Sequence, residues 1–162
     1  MLDSGLAAGV GPMAAVAGAI AQHVGQDLVQ ACGSVVVENG GDLYLCAAQE
    51  LTVGLHAGPS PVSRRLALRV HREEMPAGVA TSSASVGHSI SYGAADAACV
   101  VADQSPLSDA VATALGNRIR GPMDLKPALA WALGIAGVRG ALVVLGKHVA
   151  AAGRVELIAQ PG

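Results

Sequence analysis

Residues 79–117, VATSSASVGHSISYGAADAACVVADQSPLSDAVATALGN, decide how this chain reads: a Ser/Gly-rich loop runs into an unbroken apolar segment and then into a helix. Ala97–Ala102 has no polar position in six residues, so it predicts a central strand covered on both faces. A helix is expected from Pro106 to about Leu115, with Ser105 as its N-cap and Pro106 at its first position.

Working outward, Leu66–His71 alternates Leu66, Leu68 and Val70 with Arg69 and His71, the period of a strand with one wet face. Leu51–His56 reads as a further strand. Val35–Val37 and Leu43–Cys46 read as a hairpin joined through Asn39, Gly40 and Gly41, which are strong turn residues. Gly58–Arg65 carries two prolines and is expected to be an exposed loop whose arginines are within reach of an anion. Pro12 suits a helix start and Gly33 a helix stop, and the Ala- and Val-rich run between them predicts a helix buried nearly all round. A helix after Asp124 reaching Leu133 and strands at Ala141–Leu145 and Val155–Ala159 complete an α+β pattern, with helices on one face of a largely antiparallel sheet.

At 162 residues the chain has the size of one domain, 1–162, able to bury roughly two thirds of its unfolded surface. Its core must be built from small residues, because 52% of the chain is hydrophobic while Phe is absent and Trp131, Tyr44 and Tyr92 are the only aromatics. Ten basic against twelve acidic residues give a net charge of −2 without a basic stripe, which argues against nucleic acid. The apolar run Leu6–Ala21 is mainly Ala and Gly, is interrupted by Pro12 and lacks flanking basic residues, so it reads as a buried helix and not as a membrane span. Cys32, Cys46 and Cys99 are odd in number and widely spaced; small buried hydrophobes in a reducing cytoplasm are the expectation.

Three groups of residues are suited to chemistry. Asp109 and Thr113 lie four apart on the expected helix and share a face, offering two hard oxygen donors to one cation such as magnesium; an acidic residue early in a helix also complements its dipole without any metal. Asn39, Gly40, Gly41 and Asp42 either form a plain hairpin turn or bring backbone N–H groups close to an anion, with Asp42 accepting from a sugar or ring. Thr81, Ser82 and Ser83 put hydroxyls in a loop that could wrap phosphates, and His88 beyond them is a candidate general acid or base or else a structural histidine. His23, His56, His71 and His148 show no ligand spacing and read as ordinary surface or packing residues.

GPMAAVAGAIA, VENGGD, GVATSSASVGHSISYGAADA and LSDAVATALGN together resemble the ApbE superfamily of FAD:protein FMN transferases and their relatives, most closely its short uncharacterised branch. The resemblance implies a T-fold-type α+β domain lacking the N-terminal sheet-forming part of the family. It implies magnesium on Asp109 and Thr113, completed by a carbonyl near Ala7 or Ala8, and a flavin nucleotide such as FAD against Asn39–Asp42 and Thr81–Ser83, with His88 as the family histidine. The chain departs from the transferases at two points: no lysine follows the Gly/Ala segment near Ala8, and Ser91 stands where their pattern has an aspartate. A serine hydroxyl replaces neither the charge nor the proton affinity of a carboxylate, so efficient FMN transfer is not expected.

Three readings follow: a cytoplasmic magnesium-dependent enzyme acting on a flavin nucleotide by transfer or pyrophosphate cleavage; a non-catalytic accessory or binding protein, connected through its branch with sulfur assimilation; or an inactive fragment. The expected partners are a small-molecule nucleotide and, at most, further copies of the chain in a homo-oligomer, with neither nucleic acid nor membrane.

Overall fold

The computed structural model describes residues 1–86 and 91–160. Ala97–Ala102 is the central strand that its apolar run predicts, and every one of its six residues is buried. It belongs to a six-stranded sheet built from β1 (Val35–Asn39), β2 (Asp42–Cys46), β5 (Ala77–Ser82), β6 (Ala97–Ala102), β7 (Val138–Leu145) and β8 (His148–Gly153), in the order β1-β2-β5-β6-β7-β8. A second sheet holds β3 (Leu51–Gly54), β4 (Leu66–Val70) and β9 (Glu156–Ala159), with β4 in the middle. Every pairing is antiparallel, and with helices α1 (Leu2–Ala8), α2 (Val16–Cys32), α3 (Ser105–Arg118) and α4 (Leu125–Leu133) the fold is α+β.

Strand alternation assigns the two faces of the large sheet to two cores. Ala80, Ala98, Val100, Ala141 and Val143 pack under α3 and α4. Their neighbours Val79, Ala97, Cys99, Leu142 and Val144 pack instead with Leu55, Leu68 and Val70 beside the small sheet. The helices therefore occupy one face of the large sheet and the small sheet the other. Leu68 and Val70 of β4 turn inward while Arg69 and, just past the strand, His71 reach the carboxylate of Glu156 at 2.9 Å and 2.7 Å, which is the wet face that the alternation predicts.

Several expectations need correction. The run Leu6–Ala21 is not one helix: α1 stops at Ala8, Gly9 adopts a left-handed conformation, a single 3₁₀ turn at Pro12–Ala15 follows, and α2 leaves at 106° to α1. Among the described residues no single helix is long and apolar enough to cross a membrane. Nor is α2 buried all round. Its inner face is small, since a Cβ added at Gly18 would lie 2.3 Å from the Ser105 carbonyl oxygen and one at Gly25 would lie 2.1 Å from the Tyr44 ring, so the glycines permit close approach. The larger Ile20, Val24 and Leu28 face outward.

Thr81 and Ser82 are not in a loop but complete β5, a strand that the hydroxyl-rich sequence concealed. β8 was equally hidden, because VAAAG lacks the branched and aromatic residues that mark strands. α3 begins one residue earlier than expected, with Gln104 at its cap; the Ser105 N–H donates to Gln22 Oε1 at 2.8 Å and its hydroxyl to the Leu43 carbonyl at 3.0 Å. Of the three free cysteines only Cys99 is buried; Cys46 is half-buried and Cys32 is exposed at the end of α2.

Candidate functional site at the free end of the large sheet

The β1–β2 connection is a two-residue turn. Asn39 pairs with Asp42 across it, and Gly40 and Gly41 take φ values of 66° and 108°, the region that an L side chain enters only with strain. The Gly41 carbonyl accepts from the Thr81 N–H at 3.3 Å, which ties the turn to the end of β5. Asn39 Nδ2 donates to the Ala17 carbonyl at 3.2 Å and so fixes the first turn of α2 beside it.

Asp109 meets that same turn from the other side. Its Oδ2 accepts from the Gly18 N–H at 2.9 Å, and the Ala17 amide also helps hold its charge. The carboxylate thus satisfies orphan amides at the start of α2, the work of an N-cap performed by a residue 91 positions away. The expectation that Asp109 complements the dipole of its own helix does not hold, since Asp109 lies in the second turn of α3, which has no acidic residue in its first turn; its carboxylate serves α2 instead. Burial still outweighs these donors and pushes its carboxyl up to about 6.

Asp42 is the second carboxylate of the site. Burial first, and then the charge of Asp109, push its carboxyl up to about 7, with no hydrogen-bond donor among the causes to offset them. Asp42, within range of the charge of Asp109 and without a hydrogen-bond donor among the described residues, is therefore the electrostatically unbalanced group of this corner. Thr113 follows Asp109 by one helical turn and is half-buried. Over the last residue of β5, α3 passes closely: a Cβ at Gly116 would lie 3.6 Å from Ser82 Oγ.

The other expected ligand-binding residues lie on the opposite side of the sheet. Gly40, Gly41, Thr81 and Ser83 line a cavity of about 460 Å³ between the two sheets, and its wall is completed mainly by the apolar Leu43, Leu45, Leu51 and Val53. Ser83 Oγ accepts from the Ser85 and Val86 N–H groups at 3.1 Å and 3.0 Å, so this hydroxyl organises its own loop. Pleat and register therefore put Asn39, Asp42 and Ser82 on the helix face, where Asp109 meets α2 and Thr113 lies one turn further along α3, and Gly40, Gly41, Thr81 and Ser83 on the cavity face, with the glycine turn as the rim shared by both. His88 lies outside the described residues.

Sequence reading missed Glu38 and His56, both of which line the cavity. His56 reads from sequence as an ordinary surface or packing residue, yet it enters the cavity wall because the small sheet packs onto the large one, for which no local signal exists. The amides of Ala17 and Gly18 were missed for the same reason. Among the described residues no group of three or more His, Cys, Asp and Glu side chains could hold a metal ion, so a cation here would rest on a carboxylate pair and neutral oxygens.

These features define an α+β protein with a paired-carboxylate corner at the free end of its main sheet and an apolar cavity across the rim from it. A family model described as AbpE bacteria matches residues 1–149, and the chain belongs to that family. It is 44% identical over 153 residues to a UPF0280 protein of Methanocella arvoryzae, covering 93% of this chain and 62% of that one. It is 39% identical over 160 residues to a UPF0280 protein of Methanosarcina acetivorans, covering 98% and 63% respectively. A UPF0280 protein of Methanococcus aeolicus is 38% identical over 160 residues, covering 96% and 64%. The chain thus spans less than two thirds of the length of each of these curated relatives.

Proposed function

We propose that this protein binds a divalent cation, magnesium by the hardness of the donors, together with a nucleotide of the flavin class. The observation that carries the reading is the Asp42–Asp109 corner: burial raises both carboxyls, the charge of Asp109 raises Asp42 further, and a 2+ ion there would relieve the cost of ionising them. Asp109, Thr113 and Asp42 would hold the ion, whose chemistry when bound is to neutralise phosphate oxygens. The chain's own residues divide the remaining work. Leu43, Leu45, Leu51 and Val53 exclude water from a planar ring, Thr81 offers a hydroxyl, and the Gly40–Gly41 turn lets the ligand approach the backbone closely.

His88 is the group proposed to handle a proton, by its order in the sequence. With Ser91 in place of an aspartate and no lysine near Ala8, the reaction that best suits these residues is cleavage at a nucleotide pyrophosphate, not FMN transfer to a protein; a binding protein without turnover is the other reading. A cytoplasmic setting suits both.

Calorimetry with magnesium and FAD tests the proposal. Parent protein should bind both, the Asp42→Asn and Asp109→Asn variants should lose at least tenfold in magnesium affinity, and mass spectrometry of the products should find AMP without a flavinylated threonine peptide. Equal magnesium binding by parent and both variants sinks the cation site; His88-dependent flavinylation sinks the preference for cleavage.

A further inference from the structure

An open surface groove lies between the tip of the β7–β8 hairpin and the approach to α4, and most of the residues lining it are exposed. Lys126 enters it from one wall and Lys147 and His148 from the other, while Met123, Leu125 and Val149 supply apolar surface. None of these residues belongs to the site described above.

Both walls are fixed. At the hairpin tip the Gly146 N–H donates to Asp96 Oδ2 at 2.6 Å, and the Gly146 carbonyl accepts from the buried Ser60 hydroxyl at 2.6 Å. On the opposite wall Asp124 Oδ2 accepts from the Arg120 and Gly121 N–H groups at 2.8 Å and 3.0 Å. Asp124, the acidic residue two before Lys126, is thereby tied to its own backbone. The ion pairs among the described residues are made by Arg69, His71 and Arg139, so neither lysine has a carboxylate partner there, and no acid lines the groove. Met123 is 88% exposed and Val149 37% exposed, which leaves apolar surface beside the two ammonium groups.

We propose that this groove binds a small amphipathic anion: a carboxylate or phosphate monoester carried on an apolar chain or ring. Lys126 and Lys147 bracket the anion from opposite walls, His148 adds a ring nitrogen, and Met123, Leu125 and Val149 cover the apolar body. In a chain of net charge −2 the pairing of two unneutralised lysines with bare apolar side chains is the complement of that ligand and of neither a plain hydrocarbon nor a cation.

Titration calorimetry on the whole chain with octanoate, octyl phosphate and octanol as probes tests this. Octanoate or octyl phosphate should bind saturably at one per chain, and the tighter of the two identifies the anion class. Octanol should bind at least tenfold more weakly. The exposed pair Lys126→Glu and Lys147→Glu, combined, should weaken the anionic probes by at least tenfold, and Lys147→Gln alone by a smaller factor in the same direction; this single variant carries the test if the double variant misfolds. Asp109→Asn should leave the binding unchanged, which separates failure here from failure of the proposed cation site. Octanol binding as tight as octanoate, affinity unaffected by the lysine substitutions, or no saturable binding of either anion would overturn the proposal.

Discussion

α2 and α3 make an instructive pair. By sequence α2 is the more apolar helix, with Ile20, Val24 and Leu28 spaced one turn apart, whereas α3 carries Ser105, Ser108, Asp109, Thr113 and Asn117. Yet α3 buries ten of its fourteen residues and α2 only four of its seventeen, namely Gly18, Ala19, Ala21 and Gly25. The difference lies in position, not in hydropathy. α3 is packed over β5 and β6 and touched by the other helices, so its polar groups had to find partners inside; α2 lies at the edge over β1 and β2, touching them through its smallest residues. Burial is decided by which neighbours an element has, and the side chains facing those neighbours set how closely it can approach.

The largest contrast should come from truncating each helix. Leu115→Ala, at a fully buried position of α3, should cost about 2–5 kcal/mol, read as a shift of the urea midpoint. A loss below that range would show that α3 can collapse into its cavity and is less central than its burial implies.

Next in size is the contact joining the two helices. Asp109→Ala removes the acceptor for the Gly18 N–H and should destabilise by about 1–3 kcal/mol without any metal present. Asp109→Asn keeps one oxygen and should cost less. Equal losses for the two would mean that the charge, and not the hydrogen bond, links α3 to α2.

A pH effect follows from the same corner. Asp42 and Asp109 are raised to about 7 and about 6 from an ordinary 3.8, so between these values the folded state holds protons that the unfolded state has released. Their contribution to stability therefore falls as pH rises from about 4 to about 7. The Tm of the metal-free protein should be higher at pH 5 than at pH 8 by a margin that shrinks in Asp42→Asn, and magnesium should recover the loss at pH 8. A margin unchanged by Asp42→Asn would remove this pair as its source.

The smallest effect belongs to the outer face of α2. Leu28→Ala and Ile20→Ser, at side chains 45% and 51% exposed, should change stability by no more than about 0.5 kcal/mol. Thermal melts that fall by several degrees would show this face to be covered in solution, and the contrast with α3 would then vanish.

The sequence by itself determined the elements whose signals are local. Six consecutive apolar residues marked β6; two glycines that must adopt positive φ marked the β1–β2 turn; Asp109 and Thr113 shared a helix face through the 3.6-residue period. The sequence also held the paired acids of the site as separate residues. Only the tertiary structure decided that Asp42 lies within range of the charge of Asp109, that Asp109 serves the amides of α2, and that His56 joins the cavity, because each depends on an approach across tens of residues for which no periodicity exists. Strand alternation then divided the expected ligand residues between two faces of one sheet, sending Asp42 and Ser82 toward the helices and Thr81 toward the small sheet, a division that follows from pleat and register and not from residue type.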